Sequence, residues 1–324
     1  MFDNKRSIVT LAFCDVFVLT TNLNNNFRKR MIPFPDISPE IFSFELFGIN
    51  LALRWYAVSY ILGFICALRL MKFFVSRKRL WALGAPPLST DQADVFLTYL
   101  ILGVIIGGRL GYVFFYNLEY YALNPLAIFR IWDGGMAFHG GFIGVITAVI
   151  LFCSANKLLL WSTADLIAVS TPPGLLFGRV ANFVNGELWG RPTEVYWGVI
   201  FPGDLAQKCD GVIGPCARHP SQLYEAGLEG LLLLVVLLYV ALKGGFKKPG
   251  LITGIFALGY GASRFIVEYF RVPDPQFFSQ ANPHGFAFKL GELGITMGQS
   301  LSLPMILVGL FICVRCAYKE EKTR

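Results

Sequence analysis

A chain of 324 residues that is 55% hydrophobic and only 15% charged, with mean hydropathy +0.57, is not a soluble globular protein, because soluble domains carry about 25% charged residues. The formal charge of +7 does not call for a nucleic-acid partner, since the cationic residues mostly flank apolar runs, where they serve as topology anchors. The seven cysteines include no CxxC joined to a second pair or to histidines, so no metal site is expected.

Residues 1–30 look foreign to the rest of the chain. Ile8 to Thr20 is apolar but interrupted by Asp15 and shorter than the ~20 residues of a membrane span. It is closer to the apolar region of a signal peptide than to a span, yet no small-x-small cleavage site comes after it. The expectation is a doubtful N-terminal extension, with synthesis beginning at Met31 and a single domain over residues 31–324.

About seven stretches then have the length and apolarity of transmembrane helices: 51–75, 93–115, 138–155, 164–184, 224–242, 250–270 and 300–317. The fold class expected is an all-α integral membrane protein. Pro172-Pro173-Gly174 should kink the fourth span and free its carbonyls. Lys and Arg favour one side of the membrane, with Arg77, Lys78, Arg79, Lys157, Lys243, Lys247, Lys248, Arg315, Lys319, Lys322 and Arg324 in short connections there. That bias puts the C-terminus in the cytoplasm and the start of the core outside. Arg28-Lys29-Arg30 would then lie outside, against the rule.

The loops on the other face, 116–137, 185–223 and 271–299, are rich in aromatics, Gly and Pro. Trp132, Trp189 and Trp197 suit the headgroup layer. Loop 185–223 is expected to form a small periplasmic cap, with Tyr196 to Phe201 as a candidate strand. Cys209 and Cys216 share this loop and are able to form a disulfide if it faces an oxidising compartment. Cys313 and Cys316 fall in an apolar helix, as small buried residues.

Polar residues gather at the outward ends of the spans. Tyr56 comes after Arg54 and Trp55 near the start of the first, and Gly107-Gly108-Arg109 lies within the second. Asp133 to Gly141 reads DGGMAFHGG and opens the third, with His139 between glycine pairs that permit close approach. The fourth ends in GRVANFVNGELWG, Gly178 to Gly190. A guanidinium at bilayer depth costs about 2.5–3.5 kcal/mol even on permissive scales, so Arg179 needs a cavity or an anionic partner. Arg179 and Asn182 are three apart and share a helix face, which Asn185 continues, and Glu187 and Trp189 come next. On the sixth span Tyr260, Arg264 and Glu268 recur every four residues as one polar stripe. Arginine presents a planar fork matched to phosphate oxygens. Two such arginines on the outward side of an apolar bundle point to a phospholipid headgroup, with His139 available as a base. The residues alone leave the reaction open.

GRVANFVNGELWG resembles the signature of the bacterial prolipoprotein diacylglyceryl transferases. DGGMAFHGG, HPSQLYE (His219 to Glu225) and GYGASRFIVEYFR (Gly259 to Arg271) are similar to that family's other motifs, in the same order. The likeness runs from about Phe34 to Tyr318. Residues 1–30, the stretch Asn282 to Leu293 and the Cys209/Cys216 pair depart from it. The resemblance implies an inner-membrane enzyme of seven spans that moves the diacylglyceryl group of phosphatidylglycerol to the lipobox cysteine of a prolipoprotein signal peptide. A thioether forms and glycerol phosphate leaves. The positions it implies are Tyr56, His139, Arg179, Asn182, Glu187, Gly190, Tyr260, Arg264 and Glu268.

On that reading His139 deprotonates the thiol, whose pKa near 8.5 otherwise leaves it a weak nucleophile. Arg179 and Arg264 stabilise the departing phosphate, Asn182 and Tyr260 orient the headgroup, and Glu187 and Glu268 position the arginines. No metal or cofactor is called for, because attack is at the glycerol carbon. The alternatives are a lipid or anion transporter built on the same arginines, disfavoured by the lack of an internal repeat, and a structural scaffold.

Overall fold

The computed structural model of the chain describes residues 31–46, 49–209, 214–273, 275–277, 279, 282–291 and 293–321. The short apolar run of the first 30 residues, the Arg28–Arg30 cluster, Lys322 and Arg324 lie outside them, as does part of the 282–293 stretch. Two compact units emerge. Among the described residues, one comprises those up to Trp55 with Val180–Tyr224 and Ile266–Thr296, and the other Tyr56–Arg179, Glu225–Phe265 and those from Met297 on.

The architecture is mostly helical. The helices are α1 (Trp55–Val75), α2 (Thr90–Tyr116), α3 (Phe138–Asn156), α4 (Leu160–Ser170), α5 (Pro172–Val184), α6 (Ser221–Leu242), α7 (Leu251–Val267) and α8 (Met297–Glu321), with shorter turns between. Among the described residues five are long and apolar enough to cross a membrane: α1, α2, α3, α6 and the Met297–Tyr318 part of α8. Only 22–39% of each apolar window is buried, so most of that surface faces outward. Such a surface needs lipid to cover it.

Two expected spans are redrawn. The first begins at Trp55 rather than residue 51, because Ile49–Arg54 (β3) pairs antiparallel with Glu40–Leu46 (β2). Arg54 therefore belongs to a hairpin, where it meets Glu40 at 3.2 Å. The fourth is two helices. Pro172 lacks the amide that would continue α4, and its fixed φ suits the first position of a new helix, so the chain restarts as α5.

Within the helical unit, α2 and α3 approach through glycines. A Cβ on Gly111 would stand 2.7 Å from Gly140 Cα, and one on Gly103 would stand 2.6 Å from Gly144 O. Small residues at four-residue spacing are how lipid-embedded helices gain backbone contact. Helix α2 starts at a capping box: Ser89 Oγ accepts from the Gln92 amide at 3.1 Å, and Gln92 Oε1 accepts from the Ser89 amide at 2.9 Å. Asp165 on α4 caps α7, its Oδ2 accepting from Gly250 N at 2.7 Å and its Oδ1 from Thr253 N at 2.8 Å. Arg109 is 4% exposed and donates to the carbonyls of Ala127, Ile128, Arg130, Gly134 and Gly135. Its charge holds the 127–135 loop in place. Phe74, Phe96, Phe152, Leu166, Leu237 and Phe246 form the centre of this unit's core.

The other unit is made of short strands and loops. Ile32–Pro33 (β1) runs parallel to Val199–Ile200 (β4), and Phe288–Leu290 (β5) pairs with Leu293–Ile295 (β6). The strand expected over 196–201 is thus confined to two residues. Cys209 and Cys216 are joined as a disulfide, their Cα atoms 6.3 Å apart. On α8, Cys313 and Cys316 are thiols rather than a disulfide. Cys316 is buried, with its Sγ 3.7 Å from Pro249 O.

Candidate active site

The helical unit holds a cluster of buried charge. Arg179 comes from α5, Tyr260 and Arg264 from one face of α7, and Glu225 and Glu229 from α6. Glu225 is completely buried and sits between both guanidiniums. Its Oε2 is 3.0 Å from Arg179 Nε, and its Oε1 accepts from Arg264 Nη1 at 2.9 Å. Glu229, also fully buried, places Oε2 3.8 Å from Arg179 Nη2, and the Tyr260 side chain hydrogen-bonds Arg179. A π-turn over Ala226–Leu232 starts just after Glu225 and contains Glu229, a helix irregularity often found where function bends a helix.

Two positive and two negative groups balance here, as burial demands, since an unpaired charge in a low-dielectric interior is costly. The guanidiniums keep about a fifth of their side-chain surface exposed (21% and 20%) while the carboxylates have none. The arginines are therefore the accessible members of the cluster.

The strand-and-loop unit assembles a second polar group. Asn182, 7% exposed, donates from Nδ2 to Glu187 Oε1 at 2.8 Å, and the Glu187 amide returns to Asn182 O at 3.2 Å. Burial pushes the Glu187 carboxyl above the usual carboxylate range. Gly190 donates its amide to His219 O at 2.8 Å. A Cβ there would stand 2.8 Å from His219 Cβ and run into the Phe270 carbonyl, so only glycine fits. Arg218 donates to the carbonyls of Ala206 (2.5 Å), Lys208 (2.9 Å) and Gly190 (3.3 Å), and lies 4.0 Å over the Trp189 ring. Glu268, 6% exposed, accepts from Thr296 Oγ1 at 3.1 Å and pairs with Arg271 at 3.6 Å.

Trp197 Nε1 donates to the Tyr224 hydroxyl at 2.6 Å, and that hydroxyl lies 3.0 Å from His219 Nδ1. The Tyr224 hydroxyl therefore links the Trp197 indole to the His219 ring. Burial lowers the His219 pKa.

The structure thus brings Arg179, Tyr260 and Arg264 together, and separately Asn182 with Glu187. Tyr56 and His139 occupy the N-terminal turns of α1 and α3: Tyr56 stacks on Tyr60, and His139 is exposed with Phe138 edge-on to its ring. The carboxylates against Arg179 are Glu225 and Glu229, whereas the sequence alone assigns that positioning task to Glu187 and Glu268. Two acids four apart on an otherwise apolar helix are the available signal. It is the same signal that singles out Arg264 and Glu268.

These features define a multi-pass membrane protein with an interior cluster of paired charge. The model of the family described as prolipoprotein diacylglyceryl transferase matches residues 43–315. The chain is 56% identical over 285 residues to a protein of Cereibacter sphaeroides named phosphatidylglycerol–prolipoprotein diacylglyceryl transferase, covering 88% of this chain and 97% of that one. Proteins of the same name from Ruegeria pomeroyi and Rhizobium leguminosarum are 54% identical over 288 residues (89% and 98% covered) and 45% identical over 288 (88% and 94%). The chain belongs to the prolipoprotein diacylglyceryl transferase family.

Proposed function

We propose that this chain transfers the diacylglyceryl group of phosphatidylglycerol to the thiol of a prolipoprotein's lipobox cysteine. It is a transferase, and its relatives' names give the transporter alternative no support. The observation that carries the site assignment is the convergence of Arg179 and Arg264 on Glu225. Two guanidiniums fixed on opposite oxygens of one carboxylate form a ready frame for the phosphate of a lipid headgroup.

In this reading the cysteine thiol loses its proton to His139, and the sulfur attacks the glycerol carbon that carries the phosphate. The carbon–sulfur bond forms as the carbon–oxygen bond breaks, and the electron pair leaves on glycerol phosphate. Arg179 and Arg264 stabilise that growing charge from preset positions. Tyr260, Asn182, Tyr56, Glu187, Gly190 and Glu268 are the further residues that the family resemblance assigns to the headgroup. The domain is a seven-span bundle in the bacterial inner membrane. Its C-terminus is cytoplasmic, the 185–223 cap and the site are on the periplasmic side, and there is no nucleic-acid partner. A disulfide at Cys209–Cys216 suits an oxidising compartment on that side.

The test supplies phosphatidylglycerol labelled in its diacylglyceryl portion and a lipobox peptide to the purified protein. Label on the peptide cysteine is expected from wild type and lost on cysteine-to-serine change in the peptide. Label that reaches vesicle lipid only would sink the reading.

A further inference from the structure

Within the signature stretch, the turn at Gly186–Leu188 has an unusual backbone. Gly186 has φ +65° and Leu188 has φ +55°. Glycine takes that region without cost, but a leucine there brings its Cβ against its own carbonyl. The Leu188 side chain does not offset this by packing, since it is 46% exposed. Something else must hold the turn, and the carbonyls of Glu187 and Leu188 show what does. Ser221 Oγ donates to Leu188 O at 2.9 Å, and Gln222 Nε2 donates to Glu187 O. Both donors belong to residues with 0% exposure, so water does not compete for either bond. The amide orientation of Gln222 is set by the Glu187 carbonyl, because its Oε1 has no hydrogen-bond partner among the described residues.

The closed turn presents Glu187, whose carboxylate takes the Asn182 amide and whose own amide returns to Asn182 O. We propose that Ser221 and Gln222 are positioning residues: a buried two-donor clamp that keeps the strained Gly186–Leu188 turn closed and so sets Glu187 and Asn182 for the phospholipid headgroup. The proposal rests on the transferase reading for its ligand, and on the turn's own geometry for the clamp.

The experiment uses the full-length purified protein with Ser221→Ala, Gln222→Met and Leu188→Gly, singly and in pairs. With lipobox peptide saturating and phosphatidylglycerol varied, Ser221→Ala and Gln222→Met are expected to raise KM for the lipid about tenfold and leave kcat within about twofold, the signature of lost ground-state positioning. Leu188→Gly alone keeps the carbonyl that Ser221 holds and is the reference against which the pairs are read. Added to either clamp variant it recovers at least about threefold of the lost KM, because glycine adopts the turn without being held there. A general loss of structure would not be rescued by removing a leucine side chain. Hydrogen exchange at the Glu187 amide accelerates in both clamp variants, and this readout needs no turnover. A wild type that never labels the peptide removes the transferase reading yet leaves the exchange result to judge the clamp. KM changes below about twofold in folded variants, absence of rescue by Leu188→Gly, or unchanged exchange at Glu187 would each overturn the proposal. If Gln222→Met fails to fold, Ser221→Ala, which deletes a single hydroxyl, decides alone.

Discussion

Arginines are buried in two ways in this molecule, and each unit offers a clear case. In the helical unit Arg179 and Arg264 are neutralised by carboxylates, Glu225 and Glu229. In the strand-and-loop unit Arg218 is held by three backbone carbonyls and an indole face. A charge answered by carbonyl dipoles is architecture, because those carbonyls belong to a loop that would have to unfold to release it. A charge answered by carboxylates can be re-partnered, since an arriving anion competes for the same donors. Arg109, although it lies in the helical unit, is of the first kind. Depth and residue type alone do not tell Arg109 and Arg218 from Arg179 and Arg264; the partner does.

The contrast is tested hardest by Glu225→Ala. It leaves two guanidiniums without their shared partner, and loss of one member of a buried ion pair costs about 3–5 kcal/mol. Thermal unfolding in detergent should show the largest drop of any variant here, and a stability near wild type would mean that the pairing is dispensable. Next is Arg179→Ala, expected to lower peptide labelling by about 100- to 1,000-fold, the range for removing one preset donor from a developing anion, in protein that still elutes as folded. Arg218→Ala probes the other kind of arginine. It should cost roughly 1–3 kcal/mol by stranding buried carbonyls, with activity per folded molecule held within about twofold of wild type. An activity loss as deep as that of Arg179→Ala would abolish the distinction.

The smallest effect is a pH dependence. Burial lowers the His219 pKa, so the unfolded chain binds the proton more tightly than the folded one. Its contribution is complete above the unfolded value of about 6.5 and declines as pH falls below it toward the folded pKa. The melting temperature should therefore fall between about pH 7 and 5.5, and His219→Gln should flatten that slope. A slope unchanged in the variant would assign it to other groups.

Much of the site is readable from spacing. Tyr260 and Arg264 are four apart on an apolar helix, and they belong to one cluster with Arg179 and Glu225. Arg179 stands out through the cost of placing it at depth. Glu225 and Glu229 obey the same spacing, yet Glu225 also closes the polar run HPSQLYE, which hides its place at the start of a helical stripe. Ser221 and Gln222 fall inside the HPSQLYE motif, but nothing in their residue type assigns them a task. Their importance lies in carbonyls more than thirty residues away, and neither a serine nor a glutamine is costly enough to look out of place. The β2–β3 hairpin escapes a reading by hydropathy because its apolar residues run into those of α1, and an apolar run does not disclose where a strand gives way to a helix.

Contiguous residues are enough to establish a helical membrane protein of the diacylglyceryl transferase family, because hydropathy and long local motifs are properties of neighbours along the chain. Only the folded molecule reveals which carboxylates answer Arg179 and Arg264, which arginines are architecture, and what holds a leucine in a left-handed turn. Each of those depends on groups distant in sequence meeting in a medium that cannot hydrate them, where an unpaired charge or carbonyl must find a partner within the protein.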